Sequence, residues 1–238
     1  FDTEEEVIAA ANDTIFGLEG DDWLDGGSDI DSISGGDGND TLYGGIDSGP
    51  GGTNDTLDGG AGVDSMIGNG RDDVYFVDDF LDVVVENSGE GTDRILINLA
   101  YYELSEIGQV ENLSGMDPVI GQTLMGNSGN NQISGNAAGD LLLGAAGDDT
   151  LIGYAENDGL DGGAGMDSLV GGIGNDTYYV HDADIIVELA DEGADEIRTD
   201  LATYELGAHV ERLVGLSAAG QTLAGNDLAN LLRGIGGR

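Results

Sequence analysis

The sequence predicts an all-β, right-handed parallel solenoid, and three features of the chain predict it. Aspartate returns every ninth residue over long stretches, with a glycine pair before it and one apolar residue two places after it. The cleanest units read GGDGNDTLY (Gly35–Tyr43), GGAGVDSMI (Gly59–Ile67), GGAGMDSLV (Gly162–Val170) and GGIGNDTYY (Gly171–Tyr179). Between these stretches lie β-branched runs such as Val83–Val85, Ile95–Ile97 and Ile185–Val187, bounded by Gly and acidic residues. Those are strand signals, not helix signals. A short fixed period marks a stacked repeat. With six residues of turn and three of strand per unit, two units close one coil. Residues eighteen apart then lie above each other at about 4.8 Å, the strand spacing.

Residues 1–11 form an edge, where Thr3–Glu6 offers a cap for a short helix. Residues 12–76 form a first array, with phased acids at Asp13, Asp22, Asp31, Asp40, Asp55, Asp64 and Asp73. Their apolar companions are Ile15, Leu24, Ile33, Leu42, Leu57, Met66 and Tyr75. The phase breaks once, where six extra residues around Ile46–Gly51, Pro50 among them, separate Asp40 from Asp55. A loop bulging from one edge absorbs such an insertion without disturbing the stack. Residues 77–121 read as a β-rich spacer that continues the solenoid with wider, metal-poor coils. A helix over Tyr101–Glu106 is the alternative. Residues 122–179 form the second array, phased at Asn131, Asp140, Asp149, Asp158, Asp167 and Asp176 and followed by Ile133, Leu142, Leu151, Leu160, Leu169 and Tyr178. Residues 180–220 repeat the spacer, with Ala202–Gly207 as the matching helical alternative, and 221–238 begin a third, truncated array. The spacers are duplicates: Val77–Asp93 matches Val180–Asp195, VENL at Val110–Leu113 matches VERL at Val210–Leu213, and GQTLMG at Gly121–Gly126 matches GQTLAG at Gly220–Gly225.

Such a unit cannot fold alone. Its one buried apolar side chain contributes about 1.5–3 kcal/mol, against about 1–2 kcal/mol for ordering each backbone residue. Stacking and a bound cation must supply the difference. On this geometry Asp13, Asp31, Asp55 and Asp73 line one edge, and Asp22, Asp40 and Asp64 the other. In the second array Asp140, Asp158 and Asp176 face one side, with Asn131, Asp149 and Asp167 opposite. Superposed aspartates, completed by turn carbonyls that glycine makes available, form an oxygen shell of the size calcium takes. Several calcium ions per chain are expected.

Composition agrees. The 238 residues carry 48 acids against 6 basic residues, all Arg, for a formal charge of −42. These acids are phased with glycine and Leu/Ile rather than blocked, which argues against a disordered acidic tail. Such a polyanion does not seek nucleic acid or anionic lipid. There is no cysteine, and no apolar stretch reaches the roughly 20 residues that span a bilayer. Weak acidic calcium sites suit the extracellular medium, so the chain reads as a piece of a longer secreted protein, its end at Arg238 consistent with cleavage after an arginine.

The quoted units resemble the RTX (repeats-in-toxin) family, whose nonapeptide GGxGxDxUx forms a calcium-filled parallel β-roll. The spacer pattern VEN(L)…GQTL is similar to stretches between RTX arrays in large secreted bacterial proteins. The resemblance implies two RTX arrays joined by β-rich spacers, export through a type I secretion channel, and folding on meeting external calcium. It places the carboxylate ligands on the phased aspartates above. Its carbonyl ligands fall on glycines of matching turns, such as Gly36, Gly38, Gly60, Gly62, Gly163, Gly165, Gly172 and Gly174. Asp29 and Ala138 replace a turn glycine, and Gln122, Asn131, Gln221 and Asn230 stand where aspartate belongs. Full sites are not expected there.

Catalytic motifs are not evident. His181 and His209 belong to no HExxH helix, no GxSxG elbow occurs, and with no Lys in the chain the glycine turns are not phosphate loops. Pairs such as Asp21–Asp22, Asp72–Asp73 and Asp148–Asp149 read as a phased acid beside one facing the other way, not as a glycosidase pair. Trp23 with tyrosines including Tyr43 offers a candidate sugar-binding surface. The expectation is a non-enzymatic, calcium-binding structural or adhesive module that is secreted or surface-associated. Its partner classes are cell-surface polysaccharide or other extracellular proteins. The alternative is the C-terminal carrier of a secreted metalloprotease, lipase or alginate epimerase.

Overall fold

A computed structural model describes residues 6–7, 11–45, 54–104, 109–116 and 118–235. Every regular element among them is a strand, and every strand pairing described below is parallel. The chain divides into two compact units, Phe1–Ser114 and Gly115–Arg238.

In the first unit, alternate strands feed two sheets. One contains Thr14–Glu19, Ser32–Asp37, Thr56–Ala61, Val74–Val77 and Arg94–Ile97, in that order. The other runs Glu6–Val7, Trp23–Asp25, Thr41–Gly45, Ser65–Asn69 and Val83–Val85. The apolar residue two places after each phased acid points inward and stacks on its counterpart. Ile15, Ile33, Leu57, Tyr75 and Ile95 form one column. Leu24, Leu42, Met66 and Val84 form the other. Each of these is at most 5% exposed. A side-chain period of two puts one residue per strand into the core and its neighbours out.

The second unit repeats the plan. Gln132–Ser134, Thr150–Ala155, Ser168–Ile173 and Ile185–Val187 form one sheet. Thr123–Met125, Leu141–Leu143, Gly159–Asp161, Thr177–Val180, Glu196–Thr199, Arg212–Gly215 and Leu231–Gly234 belong to the other. Ile133, Leu151 and Leu169 stack in the first. Leu124, Leu142, Leu160, Tyr178, Ile197 and Leu213 stack in the second. The two inward tyrosines, Tyr75 and Tyr178, are fully buried.

The insertion after Asp40 leaves the stack intact: Ser32 pairs Thr56 and Thr41 pairs Ser65, each a separation of 24 residues instead of 18. The inserted loop itself lies outside the described residues, as do Thr3 to Glu5 of the expected N-terminal cap. The strand reading of the spacers holds and the helical alternatives do not. Tyr101–Glu103 and Thr203–Glu205 are strands, while Ser105 and Glu106 lie outside the described residues. One expectation needs correction, because the spacer coils are not wider. The coil length of the arrays persists: Ser65 pairs Val83, Val74 pairs Arg94, Ser168 pairs Ile185 and Glu196 pairs Arg212, separations of 16 to 20 residues. Parallel pairing fixes where each strand must begin, so the turns absorb insertions and deletions.

Candidate metal centre

The phased aspartates form hydrogen-bonded rows along the turns. In each, one carboxylate oxygen accepts the backbone N–H of the phased residue one coil earlier. Asp31 accepts from Asp13, Asp55 from Asp31 and Asp73 from Asp55, at 2.7–2.8 Å. On the other edge Asp40 accepts from Asp22 and Asp64 from Asp40, at 2.8 and 2.7 Å. In the second unit Asp158 accepts from Asp140 and Asp176 from Asp158, while Asp149 accepts from Asn131 and Asp167 from Asp149, all at 2.7–2.8 Å. The row memberships match those read from the nine-residue phase. The carboxylates, however, reach for a backbone N–H and do not simply face one another.

The rows run on into the spacers. Asp82 accepts from Asp64 and Asp93 from Asp73. Asp184 accepts from Asp167 and Asp195 from Asp176. Glu111 and Glu211 extend them by accepting from Asp93 and Asp195. Sequence reasoning missed these six because no glycine pair precedes Asp82, although it keeps the phase, and because the nine-residue phase slips at the others. Their signal is an acid followed two places later by an inward apolar residue: Val84, Ile95, Ile186, Ile197, Leu113 and Leu213.

The second carboxylate oxygen decides what a turn can hold. Oδ2 of Asp13, Asp22, Asp40, Asp64, Asp93, Asp149, Asp158, Asp167, Asp176 and Asp184 is buried and accepts no hydrogen bond within the chain. An ionised oxygen in that state is costly unless a cation or proton meets it. Burial accordingly raises the carboxyl pKa, with neighbouring acids adding to the effect: Asp158 to about 7 and Asp64, Asp149, Asp176 and Asp93 to about 6. Burial raises Asp40 and Asp167 in the same direction.

The glycine pair builds this pocket. The first glycine, five residues before the aspartate, leaves room for the carboxylate. A Cβ on Gly35 would sit 2.1 Å from Asp40 Oδ2 and 2.5 Å from the Gly59 carbonyl; one on Gly153 would sit 2.2 Å from Asp158 Oδ2 and 2.7 Å from the Gly171 carbonyl. Carboxylate and carbonyl oxygens therefore crowd the same spot, a hard-oxygen donor set suited to calcium. The sequence reading placed the carbonyls on later glycines of the turn. Among those, Gly36, Gly60, Gly163 and Gly172 take φ of 84–110° and Gly38, Gly62 and Gly165 take 143–152°. Gly174 turns without a left-handed φ, its Cβ position 1.7 Å from the Glu156 carbonyl.

A second kind of turn is closed. In the turns that carry Asn127, Asn226 and Ser217 at the second position, the phased side chain folds back on its own turn. Asn127 N–H donates to Asn131 Oδ1 at 2.8 Å, and Asn226 N–H to Asn230 Oδ1 at 2.8 Å. Ser217 N–H donates to Gln221 Oε1 at 3.1 Å. Gln122 Oε1 is taken differently, by Asn136 Nδ2 from the turn of Asp140. Asp140 belongs to this group although it is an aspartate: its Oδ2 accepts the Asn136 N–H at 2.6 Å, and Ala138 N–H donates to Asn136 Oδ1. By contrast, Asp29 keeps its turn open in shape by taking φ 83° where glycine is usual.

Other singled-out residues lie apart from the rows. Asp21, Asp148 and Asn39 make an outer ladder, accepting the N–H of Asn39, Met166 and Val63 one coil on. Asp72 does the same for Thr92. The paired acids thus divide into an inner and an outer ladder. His181 stands between Asp161 and Asp200, at 3.7 and 3.3 Å, on the surface. Trp23 and Tyr43 place their rings 5.3 Å apart, with Trp23 40% exposed.

The model of the RTX calcium-binding nonapeptide repeat matches residues 9–33, 16–48, 51–84, 121–151 and 143–178, more than half of the chain. The chain belongs to this family. No curated protein matches it. The fold described above is the parallel β-roll of RTX repeats. No helix among the described residues is long and apolar enough to cross a membrane.

Proposed function

We propose that this RTX chain is an extracellular structural module whose β-roll is completed by calcium held in its open turns. The observation that carries the reading is the set of buried Oδ2 atoms with no donor, repeated coil after coil. Asp13, Asp22, Asp40, Asp64, Asp149, Asp158, Asp167 and Asp176 are its carboxylate ligands, with Asp31, Asp55 and Asp73 in the same rows. Turn carbonyls, among them those of first-position glycines such as Gly59 and Gly171, complete the shells. The closed geometry at Asp140 argues against it as a ligand, and Asn131, where no full site was expected, is closed in the same way. Residues 12–76 and 122–179 are the calcium arrays, and the spacers at 77–121 and 180–220 carry the same rows onward.

The chain's own acids, at −42 overall, keep it expanded while cations are scarce and become ligands where calcium is millimolar. That coupling suits a protein exported unfolded and folded outside, where it serves as a stiff adhesive or surface-associated element. No residue set in the described chain requires a catalytic role. Circular dichroism during a calcium titration of the chelated protein tests the proposal: a cooperative gain of β signal is expected. A β content indifferent to calcium overturns it.

A further inference from the structure

The duplicated spacers place a glutamate where the arrays have a glycine. Ser65 to Ile67 pair with Val83 to Val85, so Glu86 follows in the register of Gly68. Ser168 to Val170 pair with Ile185 to Val187, which puts Glu188 in the register of Gly171. Both glycines hold the first position of a unit, the slot left open for a carboxylate. In both spacers the glutamate carboxylate enters that neighbourhood. Asp73, Glu86 and Asp93 bring carboxylate oxygens within 4.8 Å of one another, and so do Asp176, Glu188 and Asp195.

Three converging acids are no site by themselves, but each cluster holds oxygens that lack a donor. Glu188 is 8% exposed and Asp176 1%, and neither Glu188 Oε2 nor Asp176 Oδ2 has a hydrogen-bond partner. Glu86 Oε2 and Asp93 Oδ2 repeat the arrangement in the first unit. A tyrosine fixes each glutamate. The Tyr178 hydroxyl oxygen accepts the Gly171 N–H at 2.8 Å, so its own proton is directed to Glu188 Oε1. Tyr75 donates to Glu86 in the same way. The remaining glutamate oxygen is thus held as an acceptor in a buried space shared with two aspartates. Acceptors without donors, of hard oxygen type, call for a divalent cation of the calcium class.

We propose that each spacer builds one further calcium site, Asp73–Glu86–Asp93 and Asp176–Glu188–Asp195, at the end of its array and outside the nonapeptide motif. The proposal rests on the reading that row aspartates meet calcium, and adds a glutamate ligand on a spacer strand. These sites close each array where the glycine pair gives out.

Calcium binding to the full chain, counted by equilibrium dialysis, and terbium luminescence test it together, because Tyr75 and Tyr178 touch the glutamates and would sensitise a bound terbium ion. The variant Glu86→Gln/Glu188→Gln is expected to bind two fewer calcium ions than the parent, one per cluster, and to lose most tyrosine-sensitised emission. Asp40→Asn, in the row opposite Asp73 and bonded there to Asp22 and Asp64, is expected to lose calcium but keep that emission. Unchanged stoichiometry and emission in the glutamate variant overturn the inference. If Asp40→Asn binds as many ions as the parent while the glutamate variant loses two, the spacer sites stand and the array reading falls. Should the double variant lack β signal in calcium, Glu188→Gln alone, expected to lose one ion, decides the question.

Discussion

Asp158 uses its two carboxylate oxygens for different tasks: Oδ1 accepts the backbone N–H of Asp140 at 2.7 Å, while Oδ2 is buried without a donor. The first contact ties one coil to the next. The second leaves a charge that the protein alone does not compensate. Asp140 inverts the arrangement, since its Oδ2 is taken by the Asn136 N–H at 2.6 Å. Two aspartates one coil apart, equal in the repeat phase, therefore differ in what they offer a cation.

That difference yields a paired prediction. Asp158→Asn keeps an oxygen for the Asp140 N–H but removes the charge, so calcium bound per chain falls. Asp140→Asn copies the closed turns at Asn131 and Asn230 and leaves calcium binding unchanged. Isothermal titration calorimetry on both variants checks this, and equal losses would contradict the division into open and closed turns.

The rows were legible in the sequence because parallel pairing at one coil per two units converts phase directly into position. The inward column of Ile, Leu, Met and Tyr followed from the same phase. The closed turns were only half legible: Asn131 announced itself as an amide, but Asp140 reads as one more phased acid, and the bond that closes its turn comes from Asn136, four places earlier. Asp82 keeps the phase but lacks the glycine pair, and Asp93, Asp184 and Asp195 were hidden by spacing that departs from nine, although each keeps an apolar residue two places on. Glu86 and Glu188 were invisible to any nonapeptide rule, since they occupy a slot the motif reserves for glycine.

Acid should partly replace calcium. The carboxyls of Asp158 (about 7) and of Asp64, Asp149 and Asp176 (about 6) lie above the ordinary aspartate value of about 3.9 that the unfolded chain keeps. The calcium-free fold thus binds more protons than the unfolded chain between about pH 4 and 7, and its stability rises as pH falls through that window. In chelator, circular dichroism is expected to show more β structure near pH 4.5 than at pH 8. With calcium present, protons compete, and affinity drops as pH falls below 7.

First-position glycines are expected to be intolerant of side chains. Gly153→Ala forces a Cβ against Asp158 Oδ2 and the Gly171 carbonyl, an overpacking expected to cost about 1–3 kcal/mol. A Cβ on Gly207 meets nothing within 4 Å, so Gly207→Ala serves as the neutral control. Denaturant unfolding in saturating calcium measures both.

Tyr154 occupies a second-position slot with φ 81° and is 53% exposed, so its side chain gives little packing in return for left-handed strain. Tyr154→Gly relieves about 1–2 kcal/mol of that strain and returns about 0.4–1 kcal/mol through the freer unfolded chain. A net stabilisation of roughly 0.5–1 kcal/mol, read as a raised denaturation midpoint, is expected. A lowered midpoint would contradict the conformational reading of this slot.

Calcium anomalous diffraction from crystals grown with the ion tests the central claim most directly. Density is predicted beside the Oδ2 atoms of Asp40, Asp64, Asp149, Asp158 and Asp167, at about 2.3–2.6 Å, and none at Asp140. Those same oxygens found capped by backbone N–H groups or water, with no anomalous peak along either row, would contradict the account.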